Sequence, residues 1–244
     1  MDAIRLFAIA LAPGAAIALY IYLKDKHERE PLHLLLTCFL YGILSTIITL
    51  LISWPLEYLI VLKEDDVVDE FIAAIFKVAL VEEFSKFVFV RYILFPNKNF
   101  NEPFDGIVYA VMVGMGFATL ENIVYVFEYG MTTGLYRMFT AVPAHATFAV
   151  MMGYFIGKAK FTHTRNLYYG VLALAVPTCF HGAYDYFWFI AEVRDIWAGI
   201  WIFSIVSLVV GLVLSRKAIQ LHQQASPFIH PKKEVDSEPP TVSL

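Results

Sequence analysis

The chain has 244 residues, a formal net charge of −4, 59% hydrophobic residues and only 16% charged ones. A soluble domain carries about 25% charged residues, so a water-soluble globular fold is excluded, and no basic patch exists to hold nucleic acid. A mean hydropathy of +0.64 and apolar runs near the ~20 residues needed to cross a bilayer describe an integral membrane protein.

Seven apolar segments follow one another, at roughly 3–23, 32–54, 71–95, 105–129, 136–157, 167–190 and 197–215. The first, from Ala3 to about Leu23, is longer than the ~7–15-residue core of a signal peptide and reads as a retained helix. The second ends at Trp54-Pro55, where proline favours a kink or stop. The short apolar piece up to Leu62 then reads as an interfacial or re-entrant element. No alternating β pattern is present, which argues against a barrel. The fold class expected is all-α: a polytopic transmembrane helical bundle of about seven spanning helices, or eight. Residues 221–244, with Pro227, Pro231, Pro239 and Pro240, read as a disordered tail. Cys38 and Cys179 lie in apolar stretches and read as small apolar filler.

The polar connections 24–31, 63–70 and 96–103 set the orientation. With 24–31 in the cytoplasm, ten Lys and Arg residues near the helix ends fall inside. Only Arg5, Lys63, Arg137 and Arg194 fall outside. The expectation is a multi-pass cell-membrane protein with its amino terminus outside and its carboxyl terminus cytoplasmic.

Ionisable residues interrupt the apolar segments. Glu82, Glu83 and Lys86 lie in the third, Glu121 in the fourth, His145 in the fifth, and His181 and Asp185 in the sixth. Facing lipid, the four carboxylates and Lys86 would together cost about 12–17 kcal/mol, so a shared polar interior is required. At ~1.5 Å per residue the groups fall in one layer, at or just outside mid-membrane, which implies a cavity open to the outer side. Glu82 and Lys86 are i,i+4 and can pair. His181 and Asp185 have the same spacing, so the carboxylate can orient the imidazole.

Adjacent carboxylates beside histidine suit water activation. The structural reading of the same residues is a buried ion pair and two satisfied histidines, but a common depth on four helices argues for a site. A zincin motif is absent: in HEREP the only His-Glu pair, His27-Glu28, is followed by Pro31 rather than histidine. No Gly-x-Ser-x-Gly elbow occurs. Asp105, the one candidate partner for a presenilin-like Tyr184-Asp185, sits at the membrane edge. A proton- or cation-coupled transporter would also bury Glu, His and Asp. It would be expected to show inverted repeats with interrupted helices, and none is visible. A non-catalytic membrane scaffold is the third reading.

In order along the chain stand KDKHEREP (24–31), Glu82-Glu83-Phe-Ser-Lys86, EPFDGIVY (102–109) and Gly116-Phe117-Ala-Thr-Leu-Glu121-Asn122. Arg137, Pro143-Ala-His145-Ala and His181-Gly-Ala-Tyr-Asp185 follow. In these elements the chain resembles the PrsW family of intramembrane proteases, distant relatives of the CAAX prenyl endopeptidases. The resemblance covers about residues 10–215. It implies a protease domain over 1–220 that hydrolyses a peptide bond in a membrane-anchored, anti-sigma-factor-like protein, cut on its outer side. It also implies that Glu82 or Glu83 activates water with help from a histidine, that His181 and Asp185 bind water or the oxyanion, and that Lys86 neutralises Glu82. Family members are classed with metallopeptidases, while a glutamate-pair mechanism can be written without metal. For zinc, the ligands expected are His145 and His181 with one of Glu82, Glu83 or Glu121, Glu121 being the carboxylate assigned. The lipid bilayer and a membrane-anchored protein substrate are the partners implied. The oligomeric state is not legible.

Overall fold

The computed structural model describes residues 3–63, 66–193 and 196–229, all helices and short connections with no strand among them. Helix α1 spans Ala3–Lys24 and α2 Leu32–Leu59. A long rod over residues 67–94 is built from α3 (Val67–Ile72), a π-helical turn (Ala73–Ala79), α4 (Leu80–Val88) and a second π-helical turn (Phe89–Leu94). Helix α5 covers Pro103–Tyr129, the short α6 Met131–Phe139, α7 Ala141–Phe161, α8 Asn166–Phe189 and α9 Ile202–Gln224.

Five helical stretches among the described residues are long and apolar enough to cross a membrane: Ala3–Lys24, Leu32–Leu59, Pro103–Tyr129, Met131–Phe161 and Gly199–Gln224. The other two expected segments, 71–95 and 167–190, are helical. They also carry Glu82, Glu83, Lys86, His181 and Asp185, whose polarity lowers their mean hydropathy. Pro55 neither stops nor separates α2, which continues to Leu59. A proline near the last turn removes one hydrogen bond close to where the ladder ends anyway, and the neighbouring Trp54 is exposed. Helix α9 runs past the expected end of its apolar segment, and Ser226 just beyond it is buried. Arg194 and most of the expected tail, from residue 230 onward, lie outside the described residues.

Helix α5 is the axis of the bundle, with α1, α2 and α7 packed around it. Its glycines explain the close fit. A Cβ on Gly116 would overlap the Phe39 carbonyl of α2, and one on Gly42 the Val113 carbonyl of α5. Gly106 on α5 and Gly153 on α7 stand in the same relation to each other's backbones. Small residues of this kind let helices approach where lipid offers no hydrophobic drive to association. Around α5 the core is aliphatic and aromatic, including Ile107, Val111, Phe104 and Met115.

Candidate active site

Helix α4 carries Glu82, Glu83 and Lys86 between the two π turns. Such turns each add a residue to the helical repeat and recur at functional sites; here they bracket the polar turn. Gly182 on α8 leaves room for Ile75 of the first π turn, whose side chain a Cβ there would overlap. That close approach brings His181, the preceding residue, against α4.

Lys86 is 3% exposed and is the hub of the site. Its Nζ donates to Glu83 Oε1 at 2.8 Å and to Glu82 Oε2 at 3.5 Å. It also lies 3.2 Å from His145 Nδ1 and 4.0 Å from the Phe117 ring centroid. An ammonium has only donors, so His145 Nδ1 accepts, and the ring proton sits on Nε2, which donates to Glu121 Oε2 at 2.9 Å. Glu121 in turn pairs with Arg137 of α6 at 2.7 Å. Arg137 Nε donates to Asn122 Oδ1, and Asn122 Nδ2 donates to the Ala10 carbonyl of α1. One polar chain thus runs from α4 through α7, α5 and α6 to α1.

A second branch centres on His181. Its Nδ1 lies 3.0 Å from Glu83 Oε1, and its Nε2 lies 3.2 Å from Asp185 Oδ2 and 3.9 Å from Glu82 Oε2. Phe148 of α7 stacks on the His181 ring at 4.7 Å. The two imidazoles are nearly perpendicular, 5.1 Å apart. All seven expected residues therefore meet in one cluster. Arg137, read in the sequence only as an outer-side charge and as part of a resemblance, joins them through Glu121.

The two glutamates of α4 are not equivalent. Glu83 is fully buried and fixed by both Lys86 and His181. Glu82 keeps 12% of its side chain exposed and makes only long contacts. Lys86 makes the expected pair with Glu82 at 3.5 Å, but sits closer to Glu83, at 2.8 Å. Glu121 and Asp185 are 20% and 16% exposed, so the cluster opens to the surface on the side of Glu82, Glu121 and Asp185.

The donor set fits a catalytic metal in kind. Glu82, His145 and His181 each offer one ligand atom, and these atoms all lie within 4.8 Å of one another. Two histidines and a carboxylate, with a fourth position left for water, is a catalytic zinc set. Glu121 on His145 Nε2 and Glu83 on His181 Nδ1 would orient the two rings from behind, as carboxylates do for metal-bound histidines. For His145 Nδ1 to serve as ligand, Lys86 would have to move off it.

Histidines and paired carboxylates set among long apolar helices, open along one edge, fit the class of intramembrane peptidases. The chain belongs to the PrsW family: the model described as "PrsW family intramembrane metalloprotease" matches residues 30–214. It is 39% identical to Protease PrsW of Geobacillus kaustophilus over 74% of this chain and 78% of that one. Identity to Protease PrsW of Bacillus subtilis is 35%, over 74% of this chain and 83% of the relative. With Protease PrsW of Clostridioides difficile it is 34%, and 93% of both chains is covered. No solved structure matches the chain. The protein is a membrane protease, which the transporter reading does not fit.

Proposed function

We propose that the chain cuts a peptide bond of a single-span, membrane-anchored protein of the anti-sigma-factor type, on the outer side of the membrane, with Glu82 as the base. The observation that carries this reading is the asymmetry of the glutamate pair: Glu83 is buried and doubly fixed, while Glu82 is partly exposed beside two histidines. Glu82 takes a proton from water, and the water oxygen attacks the scissile carbonyl carbon. His181, its Nδ1 held by Glu83, turns the Nε2 proton it otherwise gives to Asp185 toward the oxygen that becomes negative. The proton then passes to the amine nitrogen as the C–N bond breaks.

A zinc ion held by Glu82, His145 and His181 would act as a Lewis acid and lower the pKa of bound water. A carboxylate that ligates through one oxygen keeps the other for the proton. Glu121 and Glu83 fix the imidazoles, and Phe148 and Phe117 shield their flanks from lipid and bulk water.

The test is cleavage of a tagged single-span substrate of this type by the purified protein, with Glu82→Gln and His181→Ala alongside, and with and without a strong chelator. Loss of cleavage in both variants supports the assignment, and chelator sensitivity assigns the metal. Normal cleavage by Glu82→Gln refutes its role as base.

A further inference from the structure

At the other end of α5 lies a second set of buried carboxyl groups that the proteolytic site does not use. The connection 24–31 tucks Asp25 and Glu30 inward, and they are 0% and 2% exposed. They meet Glu102 and Asp105 at the start of α5, both fully buried. Helix capping accounts for part of this. Asp105 Oδ2 accepts from the backbone N–H groups of Asn101 and Glu102, and Asp25 Oδ2 accepts from that of Glu30. Glu102 Oε2 accepts from the hydroxyl of Ser226, after α9.

Each of these carboxylates has an oxygen left over. Asp25 Oδ1, Glu102 Oε1, Asp105 Oδ1 and both oxygens of Glu30 are buried with no hydrogen-bond partner among the described residues. Tyr109, fully buried one turn further along α5, turns its hydroxyl toward Glu30 and lies beside Asp105. Two basic groups that act on the cluster make their hydrogen bonds to carbonyls rather than to its carboxylates: Arg29 Nε donates to the Asp25 carbonyl, and Lys160 Nζ donates to those of Phe95 and Asn97. Buried charges that persist are paired or coordinate metals.

We propose that Asp25, Glu30, Glu102 and Asp105, with the Tyr109 hydroxyl, form a site for a hard divalent cation, calcium or magnesium, that ties the 24–31 connection to α5 and the end of α9. The donors are all oxygen, the set such ions take. Burial pushes the carboxyl of Asp25 up to about 6 and that of Glu30 up to about 7, a penalty a bound cation offsets. Tyr109 and Glu121 are twelve residues apart on one helix, or ~18 Å, so the cation site is separate from the proteolytic one.

The experiment uses the full chain in detergent, stripped with chelator and then titrated with calcium or magnesium. Thermal unfolding and equilibrium dialysis are the readouts. One of the two ions is expected to raise the unfolding midpoint and bind at one per chain. Glu30→Gln and Asp105→Asn should weaken that binding at least tenfold. Glu82→Gln, in the proteolytic site, should leave it unchanged. Should the acid variants fail to fold, Tyr109→Phe, which removes only one oxygen, should still weaken binding. No response to either ion overturns the proposal, as does an undiminished response in whichever of these variants folds. A response lost in Glu82→Gln and kept in Glu30→Gln places the ion in the proteolytic site and overturns it equally.

Discussion

Lys86 shows how one side chain sets the state of its neighbours. Its Nζ lies 2.8 Å from the fully buried Glu83, whose other basic neighbour among the described interactions is the His181 ring at 3.0 Å. Removing one partner of a buried pair leaves the other charge uncompensated and costs about 3–5 kcal/mol. Lys86→Met is therefore expected to destabilise the protein in detergent by about that much, and Glu83→Gln by a similar amount. The double variant, which leaves only the partly exposed Glu82 without its lysine, should recover most of the loss. Cleavage should be absent in all three, because His181 loses its Nδ1 partner or the hub itself is gone. Chemical unfolding of the four proteins gives the stability cycle, and a neutral Lys86→Met would show that the pair is not structural. The i,i+4 spacing of Glu82 and Lys86 made contact between them readable in the sequence. The preference for Glu83 was not, because it depends on His181 arriving from α8 to share the same oxygen.

Arg137 acts at one remove. It holds Glu121 at 2.7 Å, and Glu121 holds His145. Partners that orient an active-site histidine are worth about 10–100-fold in activity or metal affinity. Glu121→Gln and Arg137→Gln should each lower kcat/KM by about that factor with little change in KM. Arg137→Lys, which keeps the charge but not the second contact to Asn122, should recover part of it. Equal loss in Arg137→Lys and Arg137→Gln would mean that the guanidinium geometry matters more than its charge.

Among the elements, α8 and the 67–94 rod illustrate how backbone spacing builds the site. Gly182 follows His181 directly and receives the Ile75 side chain from the first π turn. A larger residue must push α8 away from the rod, and overpacking of this kind costs about 1–3 kcal/mol. Gly182→Val is expected to lower cleavage far more than stability, since it lengthens the 3.0 Å contact between His181 and Glu83. A parallel fall in cleavage and unfolding midpoint would mean general destabilisation instead. In the sequence this glycine was simply one of the residues inside the His181–Asp185 spacing. Periodicity reports which face a residue lies on, but not how near the next helix comes. The π turns were hidden for a related reason: a helix that widens for one turn has no composition of its own. The 24–31 connection was legible only as a polar stretch between two apolar segments. Only its packing against α5 shows that Asp25 and Glu30 are buried.

At the scale of the whole molecule the depth of the site follows from helix geometry. Glu121 lies eight residues before the end of α5 at Tyr129, or ~12 Å, against eighteen residues, ~27 Å, from its start at Pro103. His145 lies four residues after the start of α7, ~6 Å, and His181 eight before the end of α8, ~12 Å. Three helices, two running one way and one the other, thus place the site toward the same end of the bundle. The cluster of Asp25, Glu30, Glu102 and Asp105 occupies the opposite end. If the basic-residue bias governs insertion, the proteolytic end faces outward and the carboxylate end faces the cytoplasm. Single cysteines at Thr132, between α5 and α7, and at Lys98, before α5, are therefore expected to differ in intact cells carrying a Cys38→Ala, Cys179→Ala background. Thr132→Cys should react with a membrane-impermeant maleimide, and Lys98→Cys should react only after permeabilisation. The reverse pattern would invert the chain and put cleavage on the cytoplasmic side. Reaction at both positions without permeabilisation would require that α5 not span. Because α5 carries Glu121 in the middle of the polar network, that result would also remove the membrane interior as the setting of the chemistry.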